Sequence, residues 1–212
     1  FGAAYEHRRR HSEMAACWTT EIGPLNQVVH IWPYRDLAER DRVRAAAIAA
    51  GGWPPDSGDM VLAMRSEIFI PWPDSPLLPV GNHGPFFEMR TYTINAGDQP
   101  KVRKAWAEPL KQRTAISPTI ALWFSELGAL NKFVHIWPYK SLDERTVARK
   151  KAVDAGFWPP KSGEGADHYA STAQETKILV PAAFFQMSIH PLFPALSHHF
   201  RSEEHTSELQ SH

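Results

Sequence analysis

The chain has 212 residues, of which 43% are hydrophobic and 22% charged, and its 23 basic side chains balance its 23 acidic ones. This is the composition of an ordinary globular protein, and its balanced charge gives no global field that would attract nucleic acid or acidic membranes. The single cysteine, Cys17, excludes an internal disulfide, and no apolar run approaches the ~20 residues that a membrane-spanning helix needs.

Residues 1–70 form the first predicted unit, because much of their sequence returns later in the chain. Trp18–Gly58 aligns with Trp123–Gly163 at a constant offset of 105 residues and without a gap. The best-matched cores read EIGPLNQVVHIWPY, from Glu21, and ELGALNKFVHIWPY, from Glu126. A period of this length suits a small domain and is too long for a solenoid repeat. The sequence therefore predicts a tandem duplication.

The first unit is predicted to be truncated at its N-terminus. At the same offset, Phe1 corresponds to a position inside a predicted helix of the second unit, so a preceding strand has no counterpart here. A hairpin follows, then a helix that opens at Asp36 with Glu39 as its capping partner. The unit ends with a strand predicted at Ser66–Ile70, and residues 71–85 form a proline-rich linker.

The second unit, predicted at 86–181, shows a complete set of elements. Its strands are predicted at Phe86–Ile94, Ala121–Leu127, Lys132–Trp137 and Thr176–Val180, with helices at about Asp98–Ile116 and from Ser141 to Gly156. Ser141 and Glu144 match the S-x-x-E capping signature. Pro138 is expected to end the third strand, because proline cannot donate to a ladder. The order strand-helix-strand-strand-helix-strand predicts an α+β fold of two ferredoxin-like repeats.

Residues 182–212 show neither helical nor strand periodicity and are predicted to be an irregular tail. Within this tail, residues 201–211 resemble the conceptual translation of a sequencing-library adapter. The adjacent pair His198 and His199 is too isolated to indicate a zinc site. No metal site is therefore predicted.

One face of the third strand in each unit carries polar and aromatic side chains, and the opposite face is aliphatic. Apolar walls with a few polar groups are typical of small-molecule sites. The polar-aromatic face is therefore predicted to line a cavity between the two sheets, while the aliphatic face packs on the unit's own helices. The candidate cavity residues are Asn26, His30, Trp32, Asn131, His135 and Trp137, together with Glu88, Arg90 and Tyr92 on the first strand of the second unit.

Each candidate also has a structural explanation. His30 and His135 can be satisfied core histidines, or they can transfer protons or bind a ligand, since imidazole titrates near pH 6.5. The tryptophans are explained by packing. Glu88 and Arg90 are expected to pair with each other or across strands, although a Glu88 buried against apolar walls could act as a base. The sequence contains no P-loop, G-x-S-x-G or H-E-x-x-H motif, so the catalytic residues stay unknown.

Three separated motifs resemble the NIPSNAP family: FFEMRTYTI opening a unit, LNQVVHIWPY or LNKFVHIWPY in its middle, and W-P-P after its second helix. The resemblance covers roughly Trp18–Ile70 and Phe86–Val180. It implies a dimeric α/β-barrel-type arrangement, in which two ferredoxin-like sheets face each other and a tandem chain supplies both halves. A tight tandem repeat resembles bacterial members of the family, whereas animal members are associated with mitochondria and with vesicular or mitophagy roles.

The resemblance implies no single activity, and three functions stay open. The first is binding of a small hydrophobic or aromatic molecule in a barrel cavity. The second, by analogy of fold, is a cofactor-free monooxygenase or haem-handling enzyme. The third is a protein-interaction or oligomerisation scaffold, because exposed strand edges favour self-association. No cofactor is predicted, with haem as the alternative, and the expected location is cytoplasmic, or mitochondrial if the source is eukaryotic.

Overall fold

Seven strands and four α-helices make up the described part of the protein. The computed structural model describes residues 1–73, 75–76, 83–165 and 168–185. The elements are α1 (Gly2–Arg8), β1 (Ala16–Ile22), β2 (Val28–Ile31), α2 (Leu37–Ala49), β3 (Ile68–Pro71), β4 (Phe86–Ile94), α3 (Gln99–Ile116), β5 (Ala121–Leu127), β6 (Lys132–Tyr139), α4 (Leu142–Asp154) and β7 (Ser171–Pro181). In the described ranges, no helix combines the length and apolarity needed to cross a membrane.

All seven strands join one antiparallel sheet in the order β2-β1-β7-β4-β6-β5-β3. The second unit supplies the centre, β7-β4-β6-β5, which is the order of a ferredoxin-like sheet. The first unit supplies both edges, with the β1-β2 hairpin on one side and β3 on the other. The predicted α+β fold is confirmed, and the two units share a single sheet.

A strand of one unit pairs with a strand of the other at two places, which we call the seams. The residue pairs of one seam are equivalent to those of the other. In each seam, the second strand of one unit pairs with the fourth strand of the other. Trp18 lies opposite Pro181 in the β1-β7 seam, and the equivalent Trp123 lies opposite Pro71 in the β5-β3 seam. Each seam then skips one glutamate, Glu21 or Glu126, as expected of a β-bulge. The described part of the first unit has no counterpart of β4, so β2 and β3 are left as edges.

The helix ends match the predicted capping chemistry in both units. The Ser141 hydroxyl accepts from the backbone N–H of Glu144 at 3.0 Å, and the Asp36 carboxylate accepts from that of Glu39 at 2.7 Å. Each glutamate reaches back to the backbone N–H before the cap. Gly156, one residue past the C-cap of α4, has a φ of 79°, a conformation that glycine adopts without strain.

The prediction that Pro138 ends the third strand is wrong, because β6 continues to Tyr139 and Pro138 pairs opposite Phe87. Ile136 accepts from the Ile120 N–H at 2.9 Å, so its backbone polar groups point toward β5. Backbone polar groups alternate in direction along a strand, so those of residue 138, two positions later, also point toward the β5 side. The β5 ladder has already ended there, at the pair of Ala121 with Ile136. Proline is therefore tolerated, since no donor is required.

The two faces of the sheet pack against the opposite partners from those predicted: the aliphatic face meets the other unit, and the polar-aromatic face meets the helices. Val134 and Ile136, on the aliphatic face, pack with Phe87, Leu179 and with Trp18 of the first unit. This face forms the core between the units. The polar-aromatic face instead lies beneath the helices of its own unit.

Helix α4 explains why the large rings lie on the helix side. It presents only Ala148 and Ala152 as buried residues, so the space between α4 and the sheet must be filled from the strands. Trp137 on β6 and Trp106 on α3 occupy this core together with those alanines. Pairing large side chains with small ones fills such a layer at native packing density.

Candidate functional site

His135 lies at the centre of the helix-side core of the second unit and is 0% exposed. The Trp137 indole Nε1 donates a hydrogen bond of 2.6 Å to its Nδ1. An indole N–H can only donate, so Nδ1 accepts, and a neutral imidazole then carries its proton on Nε2. Nε2 is buried and has no hydrogen-bond partner among the described residues. His135 therefore presents an unpartnered N–H donor.

Aromatic rings surround this imidazole on several sides. The ring centroids of Trp106, Tyr92 and Phe133 lie 4.9, 5.0 and 5.3 Å from that of His135. Burial, followed by the charges of nearby arginines on β4, α4 and α3, holds the pKa of His135 well below its ordinary 6.5. The imidazole is therefore neutral at neutral pH.

Glu88, on β4 beside β6, is also 0% exposed and lies among three guanidinium groups. Its Oε1 lies 2.6 Å from Arg145, 3.4 Å from Arg90 and 3.7 Å from Arg149. The expected contact with Arg90 is confirmed, whereas apolar walls around Glu88 are not found. We call these four residues the basic cluster. It carries three positive charges against one negative charge, and Glu88 Oε2 has no partner among the described residues.

A buried arginine completes the second-unit site from α3. Arg113 is 1% exposed, and its guanidinium lies 4.4 Å from the ring centroid of Trp137. The same group donates to the Tyr139 hydroxyl at 2.9 Å, and burial raises the pKa of that tyrosine. Arg113 thereby holds the Trp137 indole in place, and the indole in turn orients the His135 imidazole through its hydrogen bond.

The sequence interpretation missed these arginines, although a signal was present. Arg113 has an equivalent in Arg8 at the repeat offset, and the Arg-x-x-x-Arg pair of α4 has one in Arg40 and Arg44 of α2. Arginines repeated on the inward faces of both helices of a duplicated unit predict buried guanidiniums.

The first unit reproduces the local geometry around its own histidine. Trp32 Nε1 donates to His30 Nδ1 at 2.7 Å. Arg8 lies 4.5 Å from the Trp32 ring centroid and donates to the Tyr34 hydroxyl at 2.8 Å. His30 is nevertheless exposed, because no described strand lies beside β2 where β4 lies beside β6.

Asn26 and Asn131 are not on the predicted strand face. Their φ angles are 56° and 59°, which places them in the left-handed region at the hairpin turns before β2 and β6. Asparagine visits this region more readily than most residues. Asn26 and Asn131 therefore lie at turns, and their predicted place on the polar-aromatic strand face is wrong.

The structure places the other sequence-predicted candidates in two groups, one in each unit. One group lies together under α3 and α4: His135, Trp137, Glu88, Arg90 and Tyr92. The other, His30 and Trp32, lies in the equivalent place of the first unit. Among the described residues no three His, Cys, Asp or Glu side chains are grouped as metal ligands, and His198 and His199 lie outside those residues.

Comparison with known proteins identifies relatives over most of the chain. The sequence model of the NIPSNAP family matches residues 1–76 and 87–186. The Protein NipSnap homolog of Dictyostelium discoideum is 25% identical over 174 residues, which cover 80% of this chain and 75% of that protein. The Protein NipSnap homolog 1 of Danio rerio is 25% identical over 178 residues, covering 80% of this chain and 61% of that protein. The chain therefore spans less than two thirds of the Danio relative.

A solved structure matches the arrangement of both units together. It is a putative monooxygenase from Lactobacillus acidophilus, with a TM-score of 0.57 over 84% of each chain and 10% sequence identity. At this identity the match shows a shared fold. The seven-stranded sheet built from two ferredoxin-like units is accordingly a dimeric α/β-barrel-type arrangement.

Proposed function

The chain belongs to the NIPSNAP family, and we propose that it binds a small apolar or aromatic molecule between the sheet and the helices of its second unit. One observation carries this proposal: a fully buried His135 whose Nε2–H has no partner in the described part of the chain, inside a layer of aromatic rings. Buried polar atoms in native proteins are nearly always hydrogen-bonded. An unpartnered donor next to apolar rings is a typical polar anchor of a small-molecule site.

The proposed site differs from the barrel interior that the sequence favoured. The interior face carries apolar side chains of both units, among them Trp18, Phe87 and Ile136, each 0% exposed. Such a layer contributes to stability and presents few polar groups to orient a ligand. The helix-side layer combines aromatic area with donors and charges. The proposed binding residues are His135, Tyr92 and the basic cluster.

Native mass spectrometry of the full chain, purified without a tag from cell lysate, tests this proposal. A retained small molecule, released on denaturation, is the expected result. His135→Phe keeps the ring and removes the N–H, so it should lower the retained fraction. His30→Phe is the matched control in the first unit and should leave that fraction unchanged. A protein that retains nothing, and whose aromatic fluorescence is unchanged by apolar aromatic probes, would instead favour the scaffold function.

A second candidate function is cofactor-free oxygenase chemistry at the same site. The specific observation is that His135 offers a neutral N–H donor in a buried setting, where such a donor stabilises developing negative charge on a bound substrate oxygen. The test is turnover of an aromatic substrate by His30→Ala/His135→Ala. Unchanged turnover would exclude both histidines from a catalytic role.

Haem ligation is not part of the proposal, because the histidines do not fit it. A histidine that binds iron through Nε2 normally donates its Nδ1–H to a neighbouring acceptor. Here the Nδ1 atoms of His135 and His30 accept from Trp137 and Trp32, so Nε2 carries the proton in each case. The arrangement in both units therefore opposes an axial-ligand role.

A further inference from the structure

The hydrogen-bond groups that lack partners around His135 are mostly donors. Besides His135 Nε2, the Nε atoms of Arg90 and Arg145 are buried and have no partner among the described residues. The single unpartnered acceptor in the basic cluster is Glu88 Oε2. Donors therefore outnumber acceptors among these groups, and such a set is complemented by a ligand that brings acceptor oxygens.

The charges of the basic cluster favour the same kind of ligand. Arg90, Arg145 and Arg149 converge on Glu88 Oε1, which leaves an excess of two positive charges. Arg90 also donates a 3.3 Å hydrogen bond to the amide oxygen of Gln174, and this neutral group offsets no charge. Partly buried cations without counter-charges are costly, and an anion placed among them is stabilised.

We propose that the ligand of the second unit is an organic carboxylic acid whose carboxylate binds between β4 and α4, accepting from His135 Nε2–H and pairing with Arg90 and Arg149. This inference rests on the proposed function and names its ligand class. The side chains of Arg90 and Arg149 are 13% and 34% exposed, so the carboxylate reaches them from solvent. Planar guanidinium groups match a carboxylate in geometry as well as charge.

The rest of the ligand is apolar or aromatic. Tyr92 and Trp106 flank His135 at 5.0 and 4.9 Å, and the Arg90 guanidinium lies 5.3 Å from the Tyr92 ring centroid. A carboxylate at the arginines therefore has aromatic surface next to it. A free inorganic anion would use only the charged end of this site.

Naphthoate and naphthamide are suitable probes, because they share one aromatic body and differ in the carboxylate. Calorimetric titration of the full chain at neutral pH should show naphthoate binding at least about tenfold more tightly than the amide. Added salt should weaken naphthoate binding and leave naphthamide binding nearly unchanged. With isotope-labelled histidine, NMR should show the Nε2 signal of His135 shifting on addition of naphthoate, and this measurement requires no variant.

Arg149→Met is the variant that tests the charge pairing. Arg149 lies on the outer side of the basic cluster, so its loss should reduce naphthoate affinity by about tenfold and naphthamide affinity by a clearly smaller factor. Lys150→Met on the same helix is the control, since Lys150 pairs with Asp154 on the exposed face. It should change neither affinity.

The possible results separate the two proposals. Equal affinity for naphthoate and naphthamide would overturn the carboxylate assignment and leave small-molecule binding intact. Tight naphthoate binding with no change at His135 and no effect of Arg149→Met would also overturn it, because binding would be elsewhere. If neither probe binds and no molecule is retained from lysate, the proposed function fails together with this inference.

Discussion

The two units carry the same histidine, tryptophan, tyrosine and first-helix arginine in the same hydrogen-bonded arrangement, yet only the second unit buries its histidine. His135 is 0% exposed, whereas His30 is exposed. The difference lies in the neighbouring strand, since β6 has β4 beside it and β2 has no equivalent neighbour in the described chain. A short motif thus sets local geometry, while full burial of the histidine, and with it the larger lowering of its pKa, depends on the whole sheet.

The arginines of the second helix show the same contrast. In the second unit, Arg145 reaches Glu88 on β4. In the first unit, the equivalent Arg40 contacts only its neighbour Asp41, at 2.9 Å, among the ion pairs of the described residues. The basic cluster therefore exists only where the first strand of the unit is present. The comparison between units can be tested by substitutions at equivalent positions.

Among equivalent positions of the two units, Phe1 and Trp106 should show the largest difference in the free energy of unfolding lost on substitution. Trp106→Ala should lower the free energy of unfolding by about 3–5 kcal/mol, because it opens a cavity in the helix-side core. Phe1→Ala, at the equivalent but 40% exposed position, should cost less than about 1 kcal/mol. Urea denaturation measures both values. Equal losses would show that the two cores are packed alike.

Removal of the Glu88 charge should have the next largest effect. Glu88→Gln leaves three arginines without a counter-charge, and we expect a loss of about 2–3 kcal/mol because those side chains are only partly exposed. Combining it with Arg149→Met should restore part of the stability. Glu108→Gln is the control, since its contact with Lys111 is exposed, and it should cost at most about 0.5 kcal/mol. A double variant less stable than Glu88→Gln would contradict the charge argument.

The stacked arginines should have similar effects, since each one stacks on the tryptophan and donates to the tyrosine of its own unit. Arg8→Met and Arg113→Met should each cost about 1–2 kcal/mol. Arg113→Met should lie at the upper end of this range, because Arg113 also contacts Trp158 at 5.8 Å and donates to the Ser117 carbonyl at 3.3 Å. Thermal and urea denaturation of both variants check this. A difference larger than about 1 kcal/mol would show that the missing neighbour strand weakens the first-helix contact as well.

The smallest expected effect is the loss of folding stability when the pH is lowered from neutrality. The folded-state pKa of His135 lies below 6.5, its ordinary value in an unfolded chain, so the unfolded state takes up the proton first. Stability is therefore fully present above about pH 6.5 and falls as the pH decreases, with a slope of at most about 1.4 kcal/mol per pH unit from this group. The cations facing His135 are Arg90, Arg149 and Arg113.

His135→Phe should make this pH dependence shallower, as measured by denaturation at several pH values. His30→Phe should change the slope less, because the pKa of His30 is lowered to a smaller extent than that of His135, by partial desolvation of its ring and then by the charge of Arg44. The same slope change in both variants would mean that the two imidazoles are equally shielded in solution.

Much of the fold could be predicted from the sequence, because local signals and the repeat agree. The strands β4 and β5 have the predicted bounds, and Ser141 and Asp36 are the predicted caps. The end of β6 could not be predicted from Pro138 alone. Whether proline interrupts a ladder depends on two things: which side of the strand its nitrogen faces, and whether the neighbouring strand on that side extends as far as the proline.

The site was only partly predictable. Strand alternation correctly placed Glu88, Arg90 and Tyr92 on the face that carries His135, but alternation does not say which face meets the helices. The small inward residues of α4 contain that information, since Ala148 and Ala152 require large partners on the sheet. Arg145 and Arg149 do not stand out in the sequence, because charged residues on a helix usually face solvent, although they repeat at the same offset as the histidines.

The matching seams have a consequence for how the chain reaches its native state. Among the described residues, strand β3 pairs only with β5, and the β1-β2 hairpin joins the sheet only through β7. During synthesis, β1 and β3 of the first unit are therefore made before β7 and β5, the strands of the second unit with which they pair. We expect the duplicated halves to fold as one cooperative unit, and a fragment cut between them to expose the edges of β5 and β7 to intermolecular pairing.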